Sequence, residues 1–446
     1  VARTGSTRRR RRLGRWLRRL VLYPLLALGL AGIAMAVWVE ATRFRAGEPM
    51  EGPLVLTGMT ALVGPELEPL SGVTVLVRDG RVADVGTRVD IQLPEGATVL
   101  DLAGHTVMPG LIDSHVHLAA PSGSGVGAIA LSVVEWLRDA GPRRAAYLEH
   151  GVTSVRSMGD DPGWILALRQ KVADGELAGP RIFAAGPVFT TPGGHPVVTL
   201  GGSTDDPGVR VPATADEARS MVRELTTADQ PVDVIKVIHD RGDPRYRSLD
   251  PIPVPVLQAI VDEAHAHGTP VVAHWGTVPD LEELLAAGVD GLDHLEPRGV
   301  AQGWEEDLLA RVVADGPTLA PTFAVVEPVL DPSMLGTLQG RLAEFVEAGG
   351  RAVAGSDAPM NGVEFGAGLV RELELLVDAG MTPRQALVAA TSTAADLMGT
   401  EEAGVLQEGR PADLLVVRGD PLSDISAVRD VALVLRDGTP VVDNRP

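Results

Sequence analysis

Four histidines, one lysine and one aspartate stand within or at the ends of short apolar runs spread over roughly 240 residues, and together they make the donor set of a metal site. His115 and His117 lie in PGLIDSHVHL, Lys236 in VDVIKVI, His274 in PVVAHWG, His294 in GLDHLEP and Asp357 in AVAGSDAP. Each run reads as a buried strand bounded by Gly, Pro or Asp. Residues two apart share one face of a strand, so His115 and His117 can point the same way, their backbones about 7 Å apart at ~3.3 Å rise per residue. Nitrogen and carboxylate donors without sulfur suit Zn²⁺, with Mn²⁺, Fe²⁺ or Co²⁺ as alternatives. Lys236 is the unusual member, one of two lysines in a chain that otherwise uses arginine. An ammonium of ordinary pKa, about 10.4, opposes a cation beside it, so it must lose its proton or be chemically modified.

A single histidine at a strand end is more often structural; the joint placement of these side chains is what points to a site. His265 and His267 sit at the end of a helical stretch, where residues two apart face different ways, and read as solvent-facing. His105, His150 and His239 read as structural. The Gly123-Ser124-Gly125-Val126-Gly127 segment imitates a dinucleotide fingerprint, but the strand before it carries the histidine pair, so it reads as a loop over the site. There is no P-loop and no G-x-S-x-G nucleophile elbow.

The elements that must position these groups follow a regular rhythm. Apolar runs begin near Leu111, Val152, Arg181, Val232, Pro270, Gly291, Thr318 and Ala352, and amphipathic stretches alternate with them. Eight such pairs predict a closed parallel (β/α)8 TIM barrel over 109–403. Inward side chains at the C-terminal ends of its strands converge, which would gather groups from the first, fourth, fifth, sixth and eighth runs. Thr214 to Glu217 has a capping-box pattern, and Gly151, Gly268, Gly288, Gly349 and Gly380 each follow a helical stretch as helix-ending glycines do. Outside the barrel, alternating runs with Asp79-Gly80 and Asp437-Gly438 at turn positions predict hairpins at both ends of the chain. They are expected to form one small discontinuous β-sandwich from residues 54–108 and 404–446.

The chain has 446 residues, more than one domain usually holds, which agrees with a large domain plus a satellite. It has no cysteine, which excludes disulfides, thiolate metal sites and cysteine nucleophiles. The first 39 residues carry nine arginines and no acid; the remainder has a formal charge of −29 and should repel nucleic acid and anionic lipid. Residues 1–19 form a basic segment, and Leu20 to Val39 are uncharged and mostly apolar. At ~1.5 Å per helical residue, that run can cross a ~30 Å hydrocarbon layer. Residues 40–53 read as a linker. Arginines ahead of the apolar run place the N-terminus in the cytoplasm and the catalytic part outside, as in a single-pass protein of the cell membrane. The competing reading is a cleaved export signal, since Ala34-Met35-Ala36 resembles a cleavage site and Arg18-Arg19 a twin-arginine signal.

The stretch from 51 to 446 resembles the amidohydrolase superfamily, and within it the imidazolonepropionase-like and prolidase-like metal-dependent hydrolases. PGLIDSHVHL, GVTSVRSMGD, GPRIFAAGPVFTTPGGH, VDVIKVIHD, GVDGLDHLEP, GSDAP and ADLLVVRGDPLSDI carry the resemblance. In binuclear relatives the corresponding lysine is carbamylated by CO₂ and bridges two metals. The resemblance therefore implies two divalent ions: His115, His117 and Asp357 on one, His274 and His294 on the other, Lys236 on both. A water between two such cations is acidified toward neutrality, and the hydroxide attacks a carbonyl polarised by one ion. Asp357 is expected to take the water's proton and pass it to the leaving nitrogen. On the substrate side, the resemblance implies that His195 of TPGGHP contacts the scissile group, and that Arg156 meets a substrate carboxylate or an internal acid. Tyr246, in the loop after the fourth run, is expected to stabilise an oxyanion. The expected reaction is hydrolysis of an amide or related C–N bond in a small dipeptide-like, N-acyl amino acid or cyclic amide substrate. Its alternatives are a mononuclear deaminase or imidazolone-type ring hydrolase of the same fold, and a non-catalytic binding protein. The expected partners are a small molecule and, through the N-terminal helix, the membrane; a homo-oligomer is compatible with the sequence.

Overall fold

The protein is described by a computed structural model covering residues 18–41, 44, 52–87, 94–120 and 126–445. The arginines expected at 8–15, most of the 40–53 linker and the glycines of the 123–125 loop lie outside the described residues.

The apolar runs form parallel strands. β1 (Leu111–Val116), β2 (Val152–Ser157) and β3 (Arg181–Ala184) make one three-stranded sheet. β4 (Val188–Phe189), β5 (Val209–Arg210), β6 (Ile235–His239), β7 (Val271–Trp275), β8 (Gly291–Asp293) and β9 (Thr318–Ala320) make a second, in the order β5-β4-β6-β7-β8-β9. Both faces of these strands are covered, as expected of near-continuous Val, Ile and Leu runs in a parallel sheet. The last apolar run, 352–358, forms parallel bridges instead of a ladder: Ala352 pairs with Leu319 of β9, and Ala358 with Val116 of β1. Backbone hydrogen bonds from Ser114 to Ala354 (3.0 Å) and from Asp357 to His115 (2.8 Å) tie it to β1. On the other side, Asp233 N–H donates to Ala184 O at 2.9 Å, joining β3 to the segment that enters β6.

Helices pack on these strands through one apolar face each. Leu338, Leu342 and Phe345 of the Pro332–Glu347 helix and Leu369, Leu373 and Leu376 of the Ala367–Asp378 helix are buried in the same core as Ile235, Val271 and Leu319. The five expected helix-ending glycines all have positive φ, and Gly288 at 84° closes the Val278–Ala287 helix. Thr214 accepts from Glu217 N–H at 3.2 Å as the capping-box pattern predicts, but Glu217 reaches back to Ala213 N–H at 2.8 Å instead of Thr214.

The two chain ends combine. Strands from 54–109 and 414–443 form a single eight-stranded sheet, because His105–Pro109 pairs parallel with Leu54–Val63 and antiparallel with Leu414–Arg418. The sheet curls until its Arg81–Thr87 strand meets residues 409–410: Val82 N–H donates to Arg410 O (2.9 Å) and Gly409 N–H to Val82 O (2.8 Å). Leu56, Val75, Val107, Leu414 and Leu433 from both chain ends are buried in one apolar cluster.

At the N-terminus, a helix long and apolar enough to cross a membrane runs through Tyr23–Ala41, here α1, after one π-helical turn at Arg18–Leu22. No part of its apolar stretch is buried against the rest of the chain.

Glu372 gives the core a measurable pH response. It is fully buried, accepts from Ala324 N–H at 2.7 Å, and burial pushes its carboxyl up to about 8. An unfolded glutamate titrates near 4.3, so between about 4.3 and 8 the folded chain holds a proton the unfolded chain has lost. Stability therefore falls as pH rises through that window. Glu372→Gln keeps the acceptor and removes the titration. It is expected to match the native chain in urea unfolding at pH 4 and to exceed it by a few kcal/mol at pH 9, at about 1.4 kcal/mol per pKa unit.

Candidate metal centre

At the C-terminal ends of the strands the separated histidines meet. His115 is the penultimate residue of β1 and His117 follows the strand on the same face, with Nε2 atoms 3.3 Å apart. Asp357 Oδ1 lies 3.1 Å from His117 Nε2 and 3.5 Å from His115 Nε2. Two ligand atoms held ~2.0–2.2 Å from one ion at tetrahedral angles stand about 3.3–3.6 Å apart, so this spacing suits a divalent cation. Asp357 Oδ1 is also buried without an aligned hydrogen-bond donor, an acceptor a cation would satisfy. These three residues form the one such donor cluster among the described residues.

A second imidazole pair adjoins the first. The ring centroids of His115 and His294 are 4.9 Å apart, as are those of His294 and His274. Each of the two is oriented by one nitrogen: His294 Nδ1 by Thr322 Oγ1 at 2.8 Å, His274 Nε2 by Asp240 Oδ2 at 3.5 Å. That leaves His294 Nε2 and His274 Nδ1 as donors. Asp240 is itself clamped by both terminal nitrogens of Arg298 at 3.0 and 3.1 Å. Such partners commonly change metal affinity by about 10–100-fold, so Asp240→Asn is expected to weaken metal binding within that range in a chelator competition while the fold survives.

Protonation states favour ligation. Burial lowers His115 and His294 from the usual histidine value and pushes His195 down to about 3, leaving neutral imidazoles. Burial opposes ionisation of Asp357, but His115, His117 and His294 outweigh it and hold the carboxyl well below the carboxylate range. His117 is the counterpart: burial would lower it, and the adjacent Asp357 carboxylate raises it. His294 (φ 69°) and Asp357 (φ 56°) occupy the left-handed region, at a cost of about 1–3 kcal/mol each.

Lys236 projects from β6 into the same region, fully buried, with its Nζ paired to Asp293 Oδ2. Burial lowers its pKa against the pull of Asp293. His195 stacks on His274 at 5.4 Å with rings 15° apart, so it borders the cluster. Arg156 does not open to a substrate: it is 1 % exposed, donates to Ser114 O at 2.7 Å and lies 3.7 Å from Asp293, which makes the internal acid its partner. Tyr246 is 87 % exposed at the turn of a small hairpin with Arg245 over its ring, outside the network. His239, read as structural, bonds Glu283 at 2.7 Å, away from the cluster.

Asp293 was not singled out by the sequence, yet it touches Lys236, His115 Nδ1 (3.2 Å) and Arg156 at zero exposure. Its signal was its place in GLDHLEP, immediately before His294. Asp240, directly after His239, was missed in the same way.

The amidohydrolase family profile matches residues 106–441. An imidazolonepropionase of Deinococcus deserti is 27% identical over 428 residues, covering 84% of this chain and 97% of that protein. An enamidase of Eubacterium barkeri is 25% identical, with 83% of this chain and 89% of that protein covered. Among solved structures, a prolidase complexed with N-methylphosphonate-L-proline superposes with a TM-score of 0.70 at 26% identity, covering 88% of this chain and all of the other.

Proposed function

The chain belongs to the amidohydrolase family and is a hydrolase acting on carbon–nitrogen bonds; from that premise we propose a binuclear enzyme that cleaves the amide of a small dipeptide-like, N-acyl amino acid or cyclic amide substrate. The observation that carries it is the convergence of His115, His117 and Asp357 at ligand spacing, with His274 and His294 alongside. In this reading His115, His117 and Asp357 hold one divalent ion, most suitably Zn²⁺, and His274 and His294 hold the other. Lys236, as its carbamate, would be a ligand to both. When bound, the ions acidify a water and polarise the substrate carbonyl.

The chain's own groups do the rest. Asp357, ionised and placed among three imidazoles, takes a proton from the attacking water and returns it to the leaving nitrogen. His195, neutral and stacked on His274, faces the scissile group. Arg156 and Asp293 form the buried floor that fixes where the Lys236 side chain ends. We read the two parallel sheets and the 352–358 bridge as one closed (β/α)8 barrel, with residues 54–108 and 404–446 as a second unit, and α1 as an uncleaved anchor that leaves the enzyme outside the cytoplasm.

One observation favours a second reading. The direct pairing of Lys236 with Asp293 is what an unmodified ammonium would form, as in a mononuclear deaminase or imidazolone-type ring hydrolase. The number of ions per chain distinguishes the two readings, and a panel of dipeptides, N-acyl amino acids and cyclic amides tests the activity. Hydrolysis of panel members, lost on chelation and restored by Zn²⁺, is expected; a metal-loaded chain inert toward all of them contradicts the proposal.

A further inference from the structure

The connection between β1 and β2 contains two helices where a barrel needs one. α2 (Val126–Leu137) and α3 (Gly141–Glu149) follow each other, and α3 supplies the return to β2. α2 is therefore an insertion on the side where β1 ends, which is the side of His115 and His117. Its sequence, VGAIALSVVEWL, has a single charged residue. Val133, Trp136 and Leu137, spaced as neighbours on one helical face, are each about half exposed. Three other large exposed apolar side chains lie in connections that leave the C-terminal ends of strands, and with α2 they make up an apolar rim: Leu200 after β4, Tyr246 after β6 and Val329 after β9.

The covering partner is indicated by the end of α1. Arg138, directly after α2, lies over the Trp38 ring at 5.0 Å, and Arg144 of α3 over Phe44 at 5.9 Å. Trp38 sits at the end of a membrane-length helix, where aromatic residues mark the lipid–water interface. The contact thus holds the C-terminal end of α2 beside the interfacial end of α1, where its exposed Val133, Trp136 and Leu137 are placed to enter the headgroup boundary.

We propose that α2 and the apolar rim form a lipid-docking surface, so that the mouth of the site faces the bilayer and accepts an amphiphilic amide, an amino acid carrying a long acyl chain, from the membrane. The inference rests on α1 being an anchor and on the amidohydrolase reading. The formal charge of −29 beyond residue 39 means that docking depends on apolar insertion, and zwitterionic lipid suffices.

The absence of cysteine allows a direct test, since Leu137→Cys and, on the opposite end of the barrel, Ala348→Cys each give the full chain one labelling point. In phosphatidylcholine vesicles a fluorophore at position 137 is expected to be quenched by lipid-borne nitroxide and sheltered from iodide, and one at 348 the reverse. Iodide quenching at 137 equal to that at 348 overturns the proposal, as does shelter from both quenchers, which would mean a protein contact. Failure of the chain to float with vesicles removes the anchor reading and this inference together, whereas flotation with an iodide-accessible position 137 removes this inference alone. For the substrate, Trp136→Asp with Leu137→Asp is expected to lower kcat/KM about tenfold for a vesicle-borne long-chain N-acyl amino acid and to leave an N-acetyl amino acid unaffected. An equal loss on both overturns the membrane route. No hydrolysis of either by the native chain counts against the proposed function and overturns the substrate part, while the quenching result still decides the surface.

Discussion

Lys236→Arg is expected to reduce hydrolysis by more than about 100-fold, beyond the range seen when only a ligand's supporting partner is lost. The substitution places a positive charge near Asp293, which Arg156 also neighbours at 3.7 Å, so the buried carboxylate has a counter-ion and the fold is expected to survive. A guanidinium with a pKa above about 12 neither loses its proton nor takes up CO₂, and so cannot serve as a metal ligand. The check is steady-state turnover alongside thermal unfolding. Near-native turnover would mean that the side chain at 236 only balances Asp293.

Asp357→Asn is expected to cost about 10²–10⁴ in kcat, the range a positioned acid–base group supplies, with KM changed far less. Asparagine tolerates the left-handed backbone found at 357, and the hydrogen bond from its backbone N–H to His115 O is unaffected, so the loss should not reflect misfolding. The amide also removes a negative charge from among three imidazoles. One ion is therefore expected to bind more weakly, and measuring kcat at saturating metal separates that effect from the loss of the proton carrier.

Much of this site was legible in the sequence because ligands in a parallel α/β fold sit at strand ends, and strand ends are marked by the switch from Val/Ile/Leu runs to Gly, Pro or Asp. The His115–His117 pair, His274, His294 and Asp357 could be read that way, and the structure gathers them. Asp293 was not legible, because an acid next to a histidine at a strand end looks like turn punctuation until β8 is seen to bury it against Lys236 and Arg156. Arg156 was ambiguous for the same reason: sequence places it at a strand end but does not say whether its long side chain turns toward substrate or floor. The hairpin periodicity at both termini correctly marked strands, yet it carries no information on which strand joins the two halves. That depended on His105–Pro109 pairing with both halves.

The central claim is that six side chains hold two divalent ions across a modified lysine. Anomalous diffraction from crystals grown with Zn²⁺ and bicarbonate measures this directly. Two peaks per chain, one among His115, His117 and Asp357 and one at His274 and His294, with carboxylate density extending Lys236 Nζ between them, is the predicted result. A single peak, with Lys236 bare and paired to Asp293, would contradict it.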